Sequence, residues 1–298
     1  MFVANAFQHV RMTLLLLLGS IHVARMHMEW TNSSADGSNY PQTQAMQMIQ
    51  FSTAAYCGKD ITSIKKWSCK PCKHADPGFE AKVFTDAKTS GLAYVGVTSN
   101  KTEIVVVFRG SANLANWISD LNFPRTSAYP KCNGCKVHGG FYKAWQGLQD
   151  DVVHEVVSLT SKMPKAKLYI TGHSLGAALA VLAAADLHYT WSLNVDFVFT
   201  FGEPRVGNQA FRDFYSKGSH VSWRVTHWRD PVPKLPLSSM GFKHHGTEVF
   251  YNSDSSSYTQ CDGTGHDMRC SDGLDISVLI TDHTSYLGLS QMPPFHFC

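Results

Sequence analysis

The sequence carries little net charge of either sign. Its 298 residues include 26 Lys and Arg against 23 Asp and Glu, which gives a formal charge of +3. A balance so close to neutrality argues against binding to nucleic acid or to an anionic membrane, because both depend on strongly basic surfaces. Internal repeats, low-complexity linkers and a second domain boundary are also missing from the sequence. With 44% hydrophobic residues the chain can bury a large core, and we expect one α/β domain.

No apolar run in the sequence is long enough to cross a bilayer, which takes about 20 residues. The segment MTLLLLLGSIHVA follows Arg11 within residues 1–28, which contain no acid. This pattern predicts a secretory signal peptide over residues 1–28 rather than a transmembrane anchor, although no cleavage site is well marked. Residues 29–41 then form a polar tail and residues 42–298 the folded domain. We therefore expect a secreted, extracellular protein, whose charge falls from +3 to +1 when the signal is removed with Arg11 and Arg25.

The cysteine content agrees with an oxidising compartment. The eight cysteines include two close pairs, in CKPC (Cys69, Cys72) and CNGC (Cys132, Cys135). Two such pairs are also a zinc-binding pattern, but here they lie too far apart in the chain for the usual spacing of about 15 to 20 residues. Candidate glycosylation sites at Asn32 (NSS) and Asn100 (NKT) fit secretion as well.

The hydrophobic pattern predicts alternating strands and helices. The runs GLAYVGVTS and EIVVVFRG predict strands, and FYKAWQGLQDDVVHEVVSLTSKM predicts a long helix that ends before Pro164. Further strands (AKLYITG, VDFVFTFG, HVSWRVTHW, GTEVFYN) alternate with the helices LGAALAVLAAADLHYT and NQAFRDFYSK. This order is typical of a largely parallel or mixed sheet with helices on both faces, and a site is expected at the carboxyl edge of its strands.

A candidate nucleophile, Ser174, lies in the stretch LYITGHSLGAALA. The GxSxG pattern alone occurs fairly often by chance, but here a strand leads into it and a helix rich in small residues follows, as a nucleophile elbow requires. The flanking glycines, Gly172 and Gly176, leave room for the backbone segments that such a sharp turn brings together. The alternative is that Ser174 only caps the helix, a role that serine fills well.

A serine nucleophile needs a histidine base and a carboxylate that orients it, and in α/β-hydrolases both follow the serine, acid first. Asp230 is the favoured acid because it directly follows a strand and precedes the stiff segment PVPKLP. Its alternatives lie in Ser- and Gly-rich or helix-start segments and are Asp254, Asp272 and Asp275. The base could be any of several histidines after Asp230. His283 lies at the end of a helix predicted in SVLITDHTSYLG, late enough in the chain to reach the sheet edge, whereas His244 and His245 flank a predicted strand, as packing or surface residues would. The residues alone do not decide between these three, His266 and His296.

Seven stretches together resemble the class 3, fungal-type secreted triacylglycerol lipases. They are IVVVFRGS, VHGGFYKAW, ITGHSLGAALA, TFGEPRVGN, RDPVPKLP, HHGTEVFY and DHTSYLG, which recur in the family's order between residues 104 and 288. The resemblance covers nearly everything from about residue 42 to the end. The resemblance implies a single-domain α/β-hydrolase fold with a central, mostly parallel (mixed) sheet, flanking helices and a short helical lid. It also implies a catalytic triad of Ser174, Asp230 and His283, and an oxyanion hole at Ser111 and Leu175.

The segment after Ser111 has one apolar helical face, because Leu114, Trp117, Ile118 and Leu121 are spaced i, i+3, i+4 and i+7. Such a face is ordinarily that of a surface helix packed on the core. The resemblance implies instead that it is a lid, which covers the site in water and turns its apolar face toward lipid. An apolar lid favours a water-insoluble ester as substrate, met at an oil–water or membrane interface.

The resemblance also implies a disulfide pairing, which counting alone leaves open among 105 possibilities. The implied pairs are Cys57 with Cys298, Cys69 with Cys72, Cys132 with Cys135, and Cys261 with Cys270. The long polar loop over residues 252–273 departs from the best-known members and is expected to be a solvated loop held by the last of these disulfides. We expect no metal and no cofactor.

We therefore expect a serine carboxylester hydrolase that acts on acylglycerols, a triacylglycerol lipase. Alternatives on the same fold are a phospholipase A1, a mono- or diacylglycerol lipase and a feruloyl-type esterase. An alternative of another class is a non-catalytic, lipid-binding homologue, which would typically have lost triad residues. The sequence leaves the oligomeric state open, and we expect a monomer.

Overall fold

The computed structural model describes residues 40–59, 61–111, 124–218, 220–276, 280–291 and 298. The predicted signal peptide and nearly all of the polar tail, with Asn32, lie outside these residues. So do the four apolar residues of the predicted lid and the candidate base His296.

An eight-stranded mixed sheet forms the centre of the described part of the chain, in the order β1-β2-β3-β6-β7-β8-β9-β10. Strands β3, β6, β7, β8 and β9 run parallel to one another, whereas β1, β2 and β10 are antiparallel to their neighbours. The strands of this sheet are β1 Glu80–Asp86, β2 Gly91–Val97, β3 Glu103–Phe108, β6 Lys167–His173, β7 Phe197–Phe201, β8 Val221–His227, β9 Thr247–Tyr251 and β10 Tyr258–Gln260. Two small antiparallel pairs join β4 Arg125–Ser127 to β5 Lys136–His138 and β11 Ser285–Tyr286 to β12 Leu289–Ser290.

The helices cover both faces of this sheet. They are α1 Gln42–Ala55, α2 Ile61–Lys65, α3 Lys70–Ala75, α4 Gly139–Lys162, α5 Leu175–Tyr189 and α6 Gln209–Tyr215, with short 3-10 turns between some elements. His138 begins α4 by accepting the Phe141 N–H on its Nδ1 atom, at 3.2 Å. None of the described helices combines the length and the apolar character that a membrane crossing requires.

Strand β3 shows how the two faces are filled. Ile104, Val106 and Phe108 belong to the core that β3 shares with α4 and α5, whereas Val105 and Val107 belong to the core that it shares with α1. Because successive side chains of a strand point to opposite faces, a strand buried on both sides must be apolar throughout. This is why the continuous run EIVVVF occupies the middle of the sheet.

Four disulfides link the cysteines as the resemblance implies: Cys57–Cys298, Cys69–Cys72, Cys132–Cys135 and Cys261–Cys270. The last of them closes part of the polar loop over residues 252–273, which also contains β10 and the 3-10 turn Ser271–Gly273. The predicted helix before His283 is wrong at that residue, because His283 lies in the three-residue 3-10 turn Asp282–Thr284, directly before β11.

Candidate active site

Ser174 lies on a sharp turn between β6 and α5, with φ of 60° and ψ of −128°. A serine pays a steric cost in this region of backbone space, where glycine is favoured, and such residues are concentrated at functional sites. Both flanking glycines are required by the turn. A Cβ at Gly172 would lie 2.3 Å from the carbonyl oxygen of Gly176, and one at Gly176 would lie 2.2 Å from the carbonyl oxygen of Phe108. The side chain of Ser174 makes no capping hydrogen bond to α5, which argues against the capping alternative.

His283 and Asp230 form a buried pair at the same edge of the sheet. Nδ1 of His283 lies 2.7 Å from Oδ2 of Asp230, and the two residues are almost fully buried. Oδ1 of Asp230 accepts the N–H of Val232 at 2.8 Å, and Oδ2 also accepts the hydroxyl of Tyr286. Because this carboxylate accepts from Nδ1–H, the other ring nitrogen of His283 is left as a base.

Ser174 Oγ and His283 Nε2 are buried polar atoms without a hydrogen-bond partner among the described residues. Buried polar atoms are nearly always paired, so two unpaired ones at one sheet edge indicate a site that reserves them for a substrate or for each other. The ring of His173, the residue before Ser174, lies 4.5 Å from the ring of His283. The arrangement therefore brings together the three residues that the resemblance selects.

The predicted oxyanion hole lies where β3 ends beside the elbow. Phe108 at the end of β3 pairs with Gly172 in parallel register, and the chain then continues through Gly110 to Ser111. A Cβ at Gly110 would lie 2.7 Å from the carbonyl oxygen of His173 and 3.1 Å from Cβ of Ser174. Ser111 thus follows a segment in direct contact with the elbow, and Leu175 opens α5 on its other side.

The three other candidate bases that the structure describes make contacts elsewhere. His244 and His245 both face the buried carboxylate of Glu203, at 3.8 Å and 3.0 Å. Burial alone would raise the pKa of Glu203, but these two histidines hold it well below its usual value. His266 contacts Asp272, which also pairs with Arg205 at 3.0 Å. Neither group includes Ser174, and this explains why histidine candidates that look equivalent in the sequence differ in the structure.

The other candidate acids are not the carboxylate that contacts Nδ1 of His283, which is that of Asp230. Asp254 is exposed and accepts hydrogen bonds from Ser256 in its own turn. Asp275 is likewise exposed.

One described cluster has the composition of a metal site, formed by Cys261, Asp267 and Cys270. Both sulfur atoms are joined in a disulfide, so neither is a thiolate ligand. The carboxylate of Asp267 is bound by Arg269 at 2.7 Å and by the N–H of Asp262 at 3.0 Å. The donors of this cluster are therefore already used within the protein.

Four residues at this edge were not among the predicted site residues: Tyr56, His173, His227 and Tyr286. Two of them lie within stretches that carry the resemblance, His173 in ITGHSLGAALA and Tyr286 in DHTSYLG. Tyr56 and His227 carry no local signal, because only the three-dimensional fold brings them to the triad.

Comparison with known proteins places this site in a family. The profile of the lipase (class 3) family matches residues 105–240. A secreted mono- and diacylglycerol lipase from Penicillium cyclopium is 33% identical over 228 residues, which cover 74% of this chain and 73% of the relative. A lipase from Rhizomucor miehei is 32% identical over 243 residues, which cover 80% of this chain and 66% of the relative.

Solved structures agree with the sequence relatives. The Rhizomucor miehei triacylglyceride lipase superimposes with a TM-score of 0.79 at 30% identity, covering 86% of this chain and 97% of that one. A triacylglycerol lipase described as having a serine protease triad at its catalytic centre gives the same score at 31% identity, with the same coverage of both chains. With the α/β-hydrolase sheet and the buried His–Asp pair already described, these similarities show that the chain belongs to the class 3 lipase family.

Proposed function

We propose that this protein is a secreted serine hydrolase that cleaves acylglycerol esters, with Ser174 as nucleophile, His283 as base and Asp230 as the orienting acid. The proposal rests on what lies together at one edge of the sheet. Nδ1 of His283 is 2.7 Å from the carboxylate of Asp230, and the hydroxyl of Ser174, on its strained turn, has no hydrogen-bond partner among the described residues. A hydroxyl is a poor nucleophile on its own, and this constellation is the one that activates it.

The reaction follows from the positions of these groups. Nε2 of His283 takes the proton of Ser174 as Oγ attacks the ester carbonyl, and the imidazolium is stabilised by Asp230. The negative oxygen of the tetrahedral intermediate is held by the backbone N–H groups of Leu175 and Ser111, each such donor contributing about 3 kcal/mol. The intermediate collapses when His283 returns the proton to the alcohol, which leaves. Water, deprotonated by the same histidine, then releases the fatty acid and restores Ser174.

The substrate is proposed to be a long-chain acylglycerol that reaches the site at a lipid interface. The apolar face that the sequence predicts for the segment after Ser111 supports an insoluble ester over a small soluble one. Triacylglycerol is the substrate that the name of the Rhizomucor neighbour gives, whereas the Penicillium relative is named for mono- and diacylglycerols. A lipase specific for partial glycerides is therefore the second candidate, and tri-, di- and monoolein offered in parallel separate the two.

Replacing the nucleophile tests the chemistry. Ser174→Ala removes the attacking oxygen, so we expect hydrolysis of p-nitrophenyl butyrate to fall by about 10⁴-fold or more while the protein stays folded. Ser271→Ala, a buried serine in the 252–273 loop, is the control and should keep its activity. Fluorophosphonate should label the wild type at Ser174 and leave Ser174→Ala unlabelled. Retained activity in Ser174→Ala would contradict the assignment of Ser174 as nucleophile, and an unlabelled, inactive wild type would indicate a lipid-binding homologue.

The lid proposal makes a kinetic prediction. If the segment after Ser111 covers the site in water, the rate on tributyrin should rise abruptly once the ester exceeds its solubility and forms droplets. Trp117→Ser and Ile118→Ser should weaken this jump, because they make the apolar face polar, and should leave hydrolysis of the monomeric ester close to wild type. A smooth saturation curve through the solubility limit would argue against a lid.

A further inference from the structure

We propose that His173 and His227 are positioning residues that hold the backbone of the catalytic histidine from two sides. His173 ends β6 and His227 ends β8, the two strands that flank β7. Each ring binds one of two consecutive carbonyl groups, those of His283 and Asp282. The inference rests on the proposed role of His283, and it assigns a function to two buried histidines that the reaction itself does not use.

His173 donates to the carbonyl oxygen of His283. Its Nε2 lies 2.8 Å from this oxygen, which only accepts hydrogen bonds, so Nε2 carries the hydrogen. Nδ1 then accepts from the hydroxyl of Tyr56, at 2.6 Å. Burial, with the nearby His283, lowers the pKa of His173 well below its usual value, and burial keeps the Tyr56 hydroxyl protonated by raising its pKa. The carbonyl of His283 therefore sets the tautomer of His173, and the hydroxyl of Tyr56 pairs with the other ring nitrogen and holds the ring in place.

His227 donates to the preceding carbonyl in the same turn. Its Nδ1 lies 2.9 Å from the carbonyl oxygen of Asp282, and its Nε2 lies 3.2 Å from that of Ser253. A hydrogen on Nδ1 satisfies the shorter of these two contacts, and we assign it there, so that His227 donates to Asp282. His227 is almost fully buried, at 3% exposure.

The turn that carries His283 is short, and beyond its own backbone hydrogen bonds the carbonyl of Thr284 accepts the N–H of Gln291 at 2.8 Å. Asp282–Thr284 is a single 3-10 turn, not part of a long helix or of the central sheet. Asp230 fixes the ring of His283 through Nδ1, but one hydrogen bond leaves the ring free to pivot about it. Anchoring the two carbonyls to the rigid strand ends fixes the backbone as well, so that Nε2 keeps its position at the sheet edge that carries Ser174. A displacement of about 1 Å at such a contact costs about 100-fold in rate.

The test removes the donor at His227 and then restores it. His227→Leu deletes both ring nitrogens at similar bulk, whereas His227→Asn keeps an amide donor near the position of Nδ1. On p-nitrophenyl butyrate we expect kcat to fall 10- to 100-fold in the leucine variant and at most about threefold in the asparagine variant, with KM within about twofold in both. His220→Leu is the matched control, because His220 directly precedes the opposite end of the same strand, and it should keep the wild-type kcat. Urea unfolding of each variant corrects kcat for the folded fraction.

A milder variant keeps the test decisive if His227→Leu does not fold. Tyr56→Phe removes one hydroxyl and leaves Nδ1 of His173 buried without that donor, so the ring is held less firmly against the His283 carbonyl and kcat should fall severalfold at unchanged KM. Wild-type kcat in both His227→Leu and Tyr56→Phe overturns the proposal, as does an asparagine variant as impaired as the leucine one. When His227→Leu is unfolded, Tyr56→Phe decides alone. An inactive wild type would instead count against the proposed ester hydrolysis, so the two failures are distinct.

Discussion

Gly202, directly after β7, occupies a position at which the proposed catalytic pair leaves no room for a side chain. Its φ is +58°, and a Cβ there would lie 2.8 Å from Cε1 of His283 and 3.0 Å from Oδ2 of Asp230. We expect Gly202→Ala to push His283 away from Ser174 and to lower kcat on a soluble ester by about 100-fold, with little change in KM. Steady-state kinetics on p-nitrophenyl butyrate measures both constants.

Gly263→Ala is the control that separates the effect of this clash on activity from the effect of a positive φ on stability. Gly263 also has a positive φ, of +76°, but no atom among the described residues lies within 4 Å of its Cβ position. Both substitutions should destabilise the fold by about 1 to 2 kcal/mol, since both force an L-residue into the left-handed region. Only Gly202→Ala should lose kcat, and equal activity in the two variants would contradict the assigned geometry.

Single residues were the hardest level to predict from the sequence. Asp230 could be chosen because it ends a strand, but the histidines after it share the same residue type and a similar local setting. Two of them, His244 and His245, turn out to be used in holding the Glu203 carboxylate. What distinguishes them from His283 is the carboxylate beside each ring, Glu203 for His244 and His245 and Asp230 for His283. These contacts join residues that are distant in the sequence, so a local pattern cannot predict them.

The strand, turn and helix around Ser174 form an element that stores strain at its centre. Serine at φ of 60° and ψ of −128° occupies a region that costs about 1 to 3 kcal/mol for a residue with a Cβ. Ser174→Ala keeps that cost, because alanine also has a Cβ. Ser174→Gly removes it, but the greater conformational freedom of glycine in the unfolded chain lowers stability by about 0.5 to 1 kcal/mol. We therefore expect Ser174→Gly to be more stable than Ser174→Ala by roughly 1 kcal/mol in urea unfolding, with both inactive. A glycine variant that is the less stable of the two would show that the turn is unstrained.

Elements were predicted well where burial made their pattern strong. The core strands β3, β6 and β7 are nearly continuous apolar runs, and the long helix α4 has a clear apolar side. The edge strand β1 was missed because its residues are mostly exposed or half-buried, so EAKVFTD has neither a continuous apolar run nor a regular alternation. His283 was predicted to end a helix because the apolar run SVLI precedes it, whereas the structure places His283 in the 3-10 turn Asp282–Thr284.

The Cys57–Cys298 disulfide acts on the whole molecule, because it joins the turn after α1 to the last residue of the chain across 241 positions. The cysteine count alone left its pairing open, and only the resemblance selected it, since contacts between distant segments leave no mark on local sequence. In the chain-entropy model, closing a loop of this length stabilises by about 5 kcal/mol, against about 2 kcal/mol for a loop as short as that of Cys69–Cys72.

Two double variants compare these loops directly. Cys57→Ser with Cys298→Ser should lower the free energy of unfolding in guanidinium by about 3 kcal/mol more than Cys69→Ser with Cys72→Ser. The second pair is a clean control, because Cys69 caps α3 by accepting the Cys72 N–H on its sulfur, and serine can accept the same hydrogen bond. The long-loop variant should also lose protection of the α1 amides in hydrogen exchange, since α1 packs on the sheet next to that disulfide. If the short-loop variant proved the less stable, strain or residual structure would outweigh loop entropy in this fold.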